Sequence, residues 1–361
     1  MLYLLAWPVD IAPVAWTPGI APSLEQGTFA RNDRLRAVQR IADGAVAGPE
    51  AIAFDSAGRL YTGVEDGSIL RIDPRDGRCA VVGNTQGRPL GLVAGADGYL
   101  HIADARKGLL GMSADGQVDV LAEDADGIAL GFADDLAADP GGYVYFSDAS
   151  WKFGYGEHLR DVLEHGGRGR LLRYDPELGE AVTLLAGLQF ANGVALGPDA
   201  QYVLVAESGA YRVTRYWLKG EQAGTSEVFI DNLPGLPDNL TFNGRDRFWV
   251  ALYAPRNALL DTLAPHPFWR TVVARLPAFL MPAPDHHAML LGVDLQGEVA
   301  EQYQFADGDA YAPITSVREH GDHLYLGSLD QTAIGRVSLS TLRGGSTLAE
   351  PPAPLPSDCE G

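Results

Sequence analysis

Asn192-Gly-Val-Ala-Leu-Gly-Pro-Asp-Ala200, followed at once by Gln201-Tyr-Val-Leu-Val205, is a short apolar strand, a Gly/Pro/Asp turn and a second apolar strand. The unit recurs. Upstream it reads Glu50-Ala-Ile-Ala-Phe-Asp-Ser-Ala-Gly58, Leu90-Gly-Leu-Val-Ala-Gly-Ala-Asp-Gly98 and Asp134-Asp-Leu-Ala-Ala-Asp-Pro-Gly-Gly142. Downstream it reads Asp238-Asn-Leu-Thr-Phe-Asn-Gly-Arg-Asp246 and Ile314-Thr-Ser-Val-Arg-Glu-His-Gly-Asp322. An aromatic-rich strand follows each copy, as in Tyr143-Val-Tyr-Phe-Ser147 and Arg247-Phe-Trp-Val-Ala251. A third strand comes next (Ile69-Leu-Arg-Ile-Asp-Pro74, Arg170-Leu-Leu-Arg-Tyr-Asp-Pro176), then a fourth (Cys79-Ala-Val-Val82). Four antiparallel strands repeated six times predict an all-β fold, a six-bladed β-propeller, in which radial repetition leaves few strand edges open. Residues 35–41 have no blade of their own, and they are expected to supply the outer strand of the last blade and close the ring.

The rest of the chain fits around this core. An N-terminal arm (1–33) precedes the propeller (34–345), and a Pro-rich tail (346–361) follows it. Two insertions break the period. Residues 151–168 carry a helical run, His158-Leu-Arg-Asp-Val-Leu-Glu164, in blade three. Residues 255–287 in blade five hold Leu259, Phe268, Trp269, Phe279 and Leu280, and predict a helical pair packed on the propeller or a lid or membrane-facing patch. The apolar start Met1-Leu-Tyr-Leu-Leu-Ala-Trp7 is too short to span a bilayer; it reads as a packed arm, an interfacial anchor or a trimmed anchor. Weak membrane association through this end or through residues 255–287 is one expectation. A longer, membrane-anchored or periplasmic native form is another. Cys79 and Cys359 form no metal-ligand pair, and the second lies in a tail not expected to pack, so free thiols are expected.

Of 361 residues, 47 are Asp or Glu and 27 Lys or Arg, a net charge of −20. Such a surface repels a nucleic-acid backbone, so no nucleic-acid partner is expected. No G-x-S-x-G, Walker or dinucleotide motif is present.

Eight residues before the end of each turn stand Glu50, Leu90, Asp134, Asn192, Asp238 and Ile314. In a propeller the first strand of each blade lines the central channel, so these positions converge on the axis at one depth. Four of the six are carboxylates or amides, each opening an otherwise apolar strand. Gathered carboxylates must either take up protons or share a cation. An all-oxygen donor set suits Ca²⁺ above Mg²⁺, though another divalent cation could serve. Asp135 and Asn239 adjoin the ring and would point inward if a strand bulged there; whether Asp134 or Asp135 faces the channel stays open. The alternative is that these groups only bind channel water and strand ends.

The motifs around these positions resemble the strictosidine synthase-like proteins and, more broadly, the gluconolactonase/regucalcin and paraoxonase propellers. The resemblance is carried by Phe190-Ala-Asn-Gly-Val-Ala-Leu-Gly-Pro-Asp199, Tyr211-Arg-Val-Thr-Arg-Tyr-Trp217, Leu236-Pro-Asp-Asn-Leu240 and Asp135-Leu-Ala-Ala-Asp139. It covers roughly residues 30–340 and includes membrane-anchored animal relatives. It implies that Glu50, Asn192, Asp238 and Asn239, with Asp134 or Asp135, are metal ligands, and that the cation polarises a lactone or ester carbonyl. The plant condensing enzyme's catalytic glutamate has no counterpart in Ala312-Pro-Ile-Thr315, which argues against alkaloid-forming condensation. No paraoxonase-type histidine pair is evident. His101 reads as packed, His286 and His287 lie in the insertion, and Glu319, His320 and His323 are expected to be solvated.

The expected function is therefore a calcium-dependent hydrolase, a gluconolactonase-like lactonase or esterase of small-molecule lactones or esters, with Asp238 as assisting base. The alternative is a non-catalytic propeller that binds a small molecule or protein partner around a structural calcium.

Overall fold

Repeats one, three and five fold as predicted because each turn is tied by its own acidic or amide side chain. In the computed structural model, which describes residues 7–281, 283–344, 355, 356, 359 and 360, Asp55 accepts from the N–H groups of Ala57 and Arg59 at 3.0 Å. Asp139 does the same for Gly141 and Tyr143 (2.8 and 3.1 Å), and Asn243 for Arg245 and Arg247 (3.0 and 3.1 Å). Past each turn the chain runs back along the strand it has just left.

The result is six antiparallel blades. Blade one is Ala53–Phe54, Leu60–Gly63, Ser68–Ile72 and Cys79–Asn84; blade two is Pro89–Ala94, Leu100–Asp104, Gly108–Met112 and Val118–Ala122. Blade three is Ala133–Ala138, Val144–Asp148, Gly169–Asp175 and Glu180–Leu188; blade four is Ala191–Leu196, Tyr202–Glu207, Arg212–Trp217 and Ser226–Ile230. Blade five is Gly235–Phe242, Phe248–Pro255, Ala288–Val293 and Val299–Phe305. Blade six takes Ser316–His320, His323–Gly327 and Ile334–Ser338 from the C-terminal end and Gln39–Asp43 from the N-terminal end, with Arg40 opposite Gly335. The ring thus closes where the sequence placed its closure, by the strand ahead of blade one.

Adjacent blades are glued by apolar faces. Tyr202, Phe229, Phe248, Leu252 and Leu291 fill the seam of blades four and five, and Trp249, Tyr303, Leu324 and Leu326 that of five and six. Each such side chain contributes about 1.5–3 kcal/mol on burial. With stability spread over all the seams, one substitution at the axis leaves the scaffold standing.

The insertions leave blades three and five between their second and third strands, on the face where the first strands begin. Helix α1 (His158–Glu164) is the predicted blade-three run, and α2 (Ala258–Leu263) and α3 (Pro267–Val273) are the predicted pair in blade five. The N-terminal arm lies across them. Val14 N donates to Glu164 O at 2.8 Å, and Trp16 N to Ala264 O at 3.2 Å. Buried Arg270 ties the three pieces together through the carbonyls of Val14 (2.6 Å), Ala264 (3.3 Å) and Val162 (3.2 Å). Together they form a cap over the face where the first strands start. Residues 1–6, on which the anchor alternatives rest, lie outside the described residues. No helix among the described residues is long and apolar enough to cross a membrane.

Two expectations about the tail are corrected. Leu355–Pro356 pairs in parallel with Gln39–Asp43, and Cys359–Glu360 with Cys79–Asn84, so these tail residues cover the outer edges of blades six and one. Cys79 and Cys359 are joined by a disulfide, their Cα atoms 4.5 Å apart. The tail packs because two outer strands offer it unpaired edges, which composition alone does not reveal.

Candidate functional site

The polar ring is built by bulges. The register between the first and second strands slips between Ala133 and Leu136 in blade three, between Ala191 and Val194 in blade four, and on both sides of Pro237 in blade five. A bulge puts extra residues on one strand and re-aims their side chains. Here it frees Asp134 and Asp135, Asn192, and Asp238 and Asn239 from strict alternation. Gly193 completes the arrangement. A Cβ there would stand 2.6 Å from Asp238 O and Asn239 Cα, so only glycine lets the inner strands of blades four and five press this close. The contact sets Asn192 beside Asp238, whose carboxylate accepts from the Asn192 amide.

Glu50, Asp134, Asp135, Asn192, Asp238 and Asn239 are all buried, from 2% exposed at Glu50 and Asp134 to 9% at Asp135. Five of them each leave one buried oxygen without a hydrogen-bond partner among the described residues: Glu50 Oε2 and the Oδ1 atoms of Asp134, Asn192, Asp238 and Asn239. Such atoms are costly unless something else satisfies them. The same burial raises the proton affinity of the carboxyls. Burial pushes Glu50 up to about 8, opposed by Arg88 and reinforced by Asp135. Burial raises Asp134 well above the usual carboxylate range, with Glu50 and Asp238 adding repulsion, and it raises Asp238 similarly, with Glu50 next in effect.

Asp134 and Asp135 part company here. Asp134 feels Glu50 and Asp238 most among the charges and keeps a bare oxygen. Asp135 is engaged: its Oδ2 accepts from Val194 N at 2.8 Å. Burial lifts it to about 7 against the pull of the Val194 and Leu136 N–H groups and of Arg318.

Among the described residues, no group of three or more His, Cys, Asp or Glu side chains is arranged to hold a metal ion by itself. The donor set of this ring is mixed, and the amide oxygens of Asn192 and Asn239 are part of it. Bare, buried, all-oxygen donors of this kind fit a hard cation with irregular coordination.

Several neighbours lie outside the sequence alignment. Blade two puts Leu90 at the aligned position, but two residues earlier Arg88, 1% exposed, reaches to 4.0 Å from Glu50 Oε2. Its Nη2 donates to Gly48 O at 3.0 Å and its Nε to Tyr155 Oη at 3.3 Å. Blade six supplies, beside aligned Ile314, Thr315, whose Oγ1 is buried and unpaired and whose carbonyl accepts from Asn239 N at 3.0 Å. Tyr253, near the capped end of the second strand of blade five, is the one residue of Phe248–Pro255 that is not buried. Burial and then Asp330, Asp238, Glu50 and Tyr155 push its phenol up to about 12. Leu90, Phe132 and Phe190, with Tyr155 and Leu329, line this end with apolar surface.

The histidines sit elsewhere. His101 is buried, its Nε2 3.2 Å from Asp97; His286 Nδ1 lies 3.1 Å from Asp307 O; and His287 is buried, its Nε2 without a hydrogen-bond partner among the described residues. Of the turn residues expected to be solvated, His320 is exposed, but Glu319 is not: its carboxylate accepts from Trp249 Nε1 at 2.7 Å. A cavity of about 980 Å³ opens on the face opposite the cap, among the turns at Asp139, Asp199 and Arg245. It reaches up to Asp135 and Asn239 but not to Glu50, Asp134, Asn192 or Asp238, so the chemistry gathers at its inner end.

Comparison with known proteins places this geometry. The strictosidine synthase family model matches residues 134–221, and that of the strictosidine synthase-like N-terminal region matches residues 27–72. Protein strictosidine synthase-like 6 of Arabidopsis thaliana is 34% identical over 316 residues, 85% of this chain and 84% of that protein. The adipocyte plasma membrane-associated protein of Homo sapiens is 31% identical over 363 residues, 94% of this chain and 86% of that one. Among solved structures, a gluconolactonase from Xanthomonas campestris superposes with a TM-score of 0.60 at 15% identity, covering 91% of this chain and 98% of its own. A calcium-binding regucalcin from Agrobacterium tumefaciens gives 0.57 at 16%, covering 83% and 92%. At such identities these two structures establish the shared fold alone.

Proposed function

The chain belongs to the strictosidine synthase-like family, and from that footing we propose that it is a calcium-dependent hydrolase of lactones or small esters working at the polar ring. The observation that carries this reading is the set of five buried oxygens, from Glu50, Asp134, Asn192, Asp238 and Asn239, left without hydrogen-bond partners among the described residues. Once ionised, the three carboxyls with one guanidinium beside them carry an excess of two negative charges, which a divalent cation matches. Glu50, Asn192 and Asp238 would hold the ion, with Asp134 and Asn239 assisting. When bound, the ion supplies Lewis-acid polarisation of the substrate carbonyl.

The chain's own residues do the rest. Asp238 takes the proton of the attacking water, and its buried position next to Glu50 raises its proton affinity. Asn192 orients that carboxylate through its amide. Phe132, Phe190 and Leu90 exclude bulk water from the capped side of the ring.

The test is a panel of lactones and aryl esters assayed with calcium and with chelator, in the natural chain and in Asp238→Ala. Saturable turnover that needs the cation and is lost in the variant, while the circular dichroism spectrum persists, supports the reading. Full activity in the variant or in chelator overturns it.

A second reading, a partner-binding propeller with a structural cation, is favoured by the cap. Leu259, Phe268, Trp269, Phe279 and Leu280 are all more than half exposed there, a surface suited to an apolar partner or a lipid headgroup layer. Cation-dependent thermal stabilisation without turnover on any substrate would select it.

A further inference from the structure

Tyr253 is the feature of the site that the proposed function leaves unused. It stands on the second strand of blade five, where Leu252 pairs with Pro237 and Pro255 with Gly235. That register sets Tyr253 next to the bulge that carries Asp238, on its capped side. Every other residue of Phe248–Pro255 is buried, and Tyr253 alone is partly exposed. Its hydroxyl makes no hydrogen bond among the described residues, whereas Tyr155 accepts from Arg88 and Tyr211 donates to Asp261 at 2.9 Å. A half-buried phenol facing acidic groups, with its own donor uncommitted, is held ready for an acceptor that arrives with a ligand.

We propose that Tyr253 is a catalytic residue that gives its phenolic proton to the departing alkoxide, and that the site is therefore matched to lactones and alkyl esters rather than to aryl esters. This rests on the hydrolase reading above. The step balances. Water adds to the carbonyl carbon and gives one proton to Asp238. The bond between that carbon and the alkoxide oxygen breaks, and the oxygen takes the proton of Tyr253. Asp238 then releases its proton to solvent, and the phenolate takes one back. A phenol holds its proton at neutral pH, so the donor is in place before the bond breaks.

An alkoxide is a poor leaving group and needs that proton, whereas a nitrophenolate leaves without it. The experiment compares the natural chain with Tyr253→Phe on a δ-lactone and on p-nitrophenyl butyrate, both with saturating calcium. The expected result is a fall of about 100-fold in the ratio of kcat/KM for the lactone to that for the aryl ester, the scale of general-acid catalysis. The fall should sit in kcat, and the calcium-dependent rise in Tm should be kept, since the lost hydroxyl holds nothing in the fold. An unchanged ratio, whether both activities persist or fall together, overturns the inference while leaving the hydrolase reading intact. Absence of turnover on both substrates in the natural chain overturns the hydrolase reading instead, and the inference with it.

Discussion

The Arg88 guanidinium stands 4.0 Å from the Glu50 carboxylate, both fully inside the protein, and it is the cation that most lowers the proton affinity of Glu50. Removing one partner of a buried pair leaves the other uncompensated, at a cost of about 3–5 kcal/mol. Arg88→Gln should therefore lower the Tm of chelator-treated protein. It should also enlarge the rise in Tm on adding calcium, because the ring then carries one more unbalanced negative charge. Thermal scans with and without the ion measure both, and a calcium effect smaller than in the natural chain would contradict this charge balance.

Asp134 and Asp135 should separate cleanly. Asp134 has a bare oxygen and feels Glu50 and Asp238, whereas Asp135 is engaged with Val194 N. Asp134→Asn should weaken calcium binding, measured by titration calorimetry, by about tenfold, the scale of losing one charged interaction worth about 1.4 kcal/mol. Asp135→Asn should leave calcium affinity within about threefold and instead lower Tm, since a neutral amide accepts the Val194 N–H less strongly. The reverse pattern would move the ring position to Asp135.

These sites differ in how far the sequence disclosed them. A propeller turns equal offsets within repeats into neighbours in space, so Glu50, Asp134, Asn192 and Asp238 were legible as one ring. Arg88 and Thr315 were not, because they stand off the common offset, two residues before Leu90 and one after Ile314. Tyr253 was invisible for another reason: it lies on a second strand, where the repeat aligns core residues, and its role depends on which face of blade five the register presents. The helices at 158–164 and 258–273 were expected because both insertions break the repeat and the second is rich in apolar residues. The packing of the tail could not, because pairing across 280 residues has no periodic signal.

That pairing makes its own prediction. The Cys79–Cys359 bond joins the outer strand of blade one to a tail that also pairs with the outer strand of blade six. It therefore staples the seam where the two ends of the chain meet. Cys359→Ser should cost about 2–4 kcal/mol of stability, chiefly by freeing the unfolded chain. Reductant should lower the Tm of the natural chain to that of the variant and leave the variant unchanged. Equal Tm values for the natural chain with and without reductant would show that the bond adds nothing.

His165 ties the cap to the pH. It ends α1 in a left-handed conformation, and its ring stacks on Trp16 of the arm at 4.1 Å and 6°. Burial, then the Arg270 and Arg212 charges, push its pKa down to about 3, against a backbone hydrogen bond with Gly209 that favours the charged form. The folded value lies below the usual 6.5, so the contribution of the neutral ring is complete above pH 6.5. It is lost progressively as the pH falls from there toward 3. At pH 5 the loss is at most about 2 kcal/mol, or roughly 3 °C in a chain of this size. Asn tolerates the left-handed backbone and does not titrate, so His165→Asn isolates the effect. Between pH 7.5 and 5 the natural chain should lose about 3 °C more than the variant in differential scanning calorimetry, and Trp16 fluorescence should report release of the arm at the acid end. Parallel pH slopes for the two proteins would remove His165 as the source.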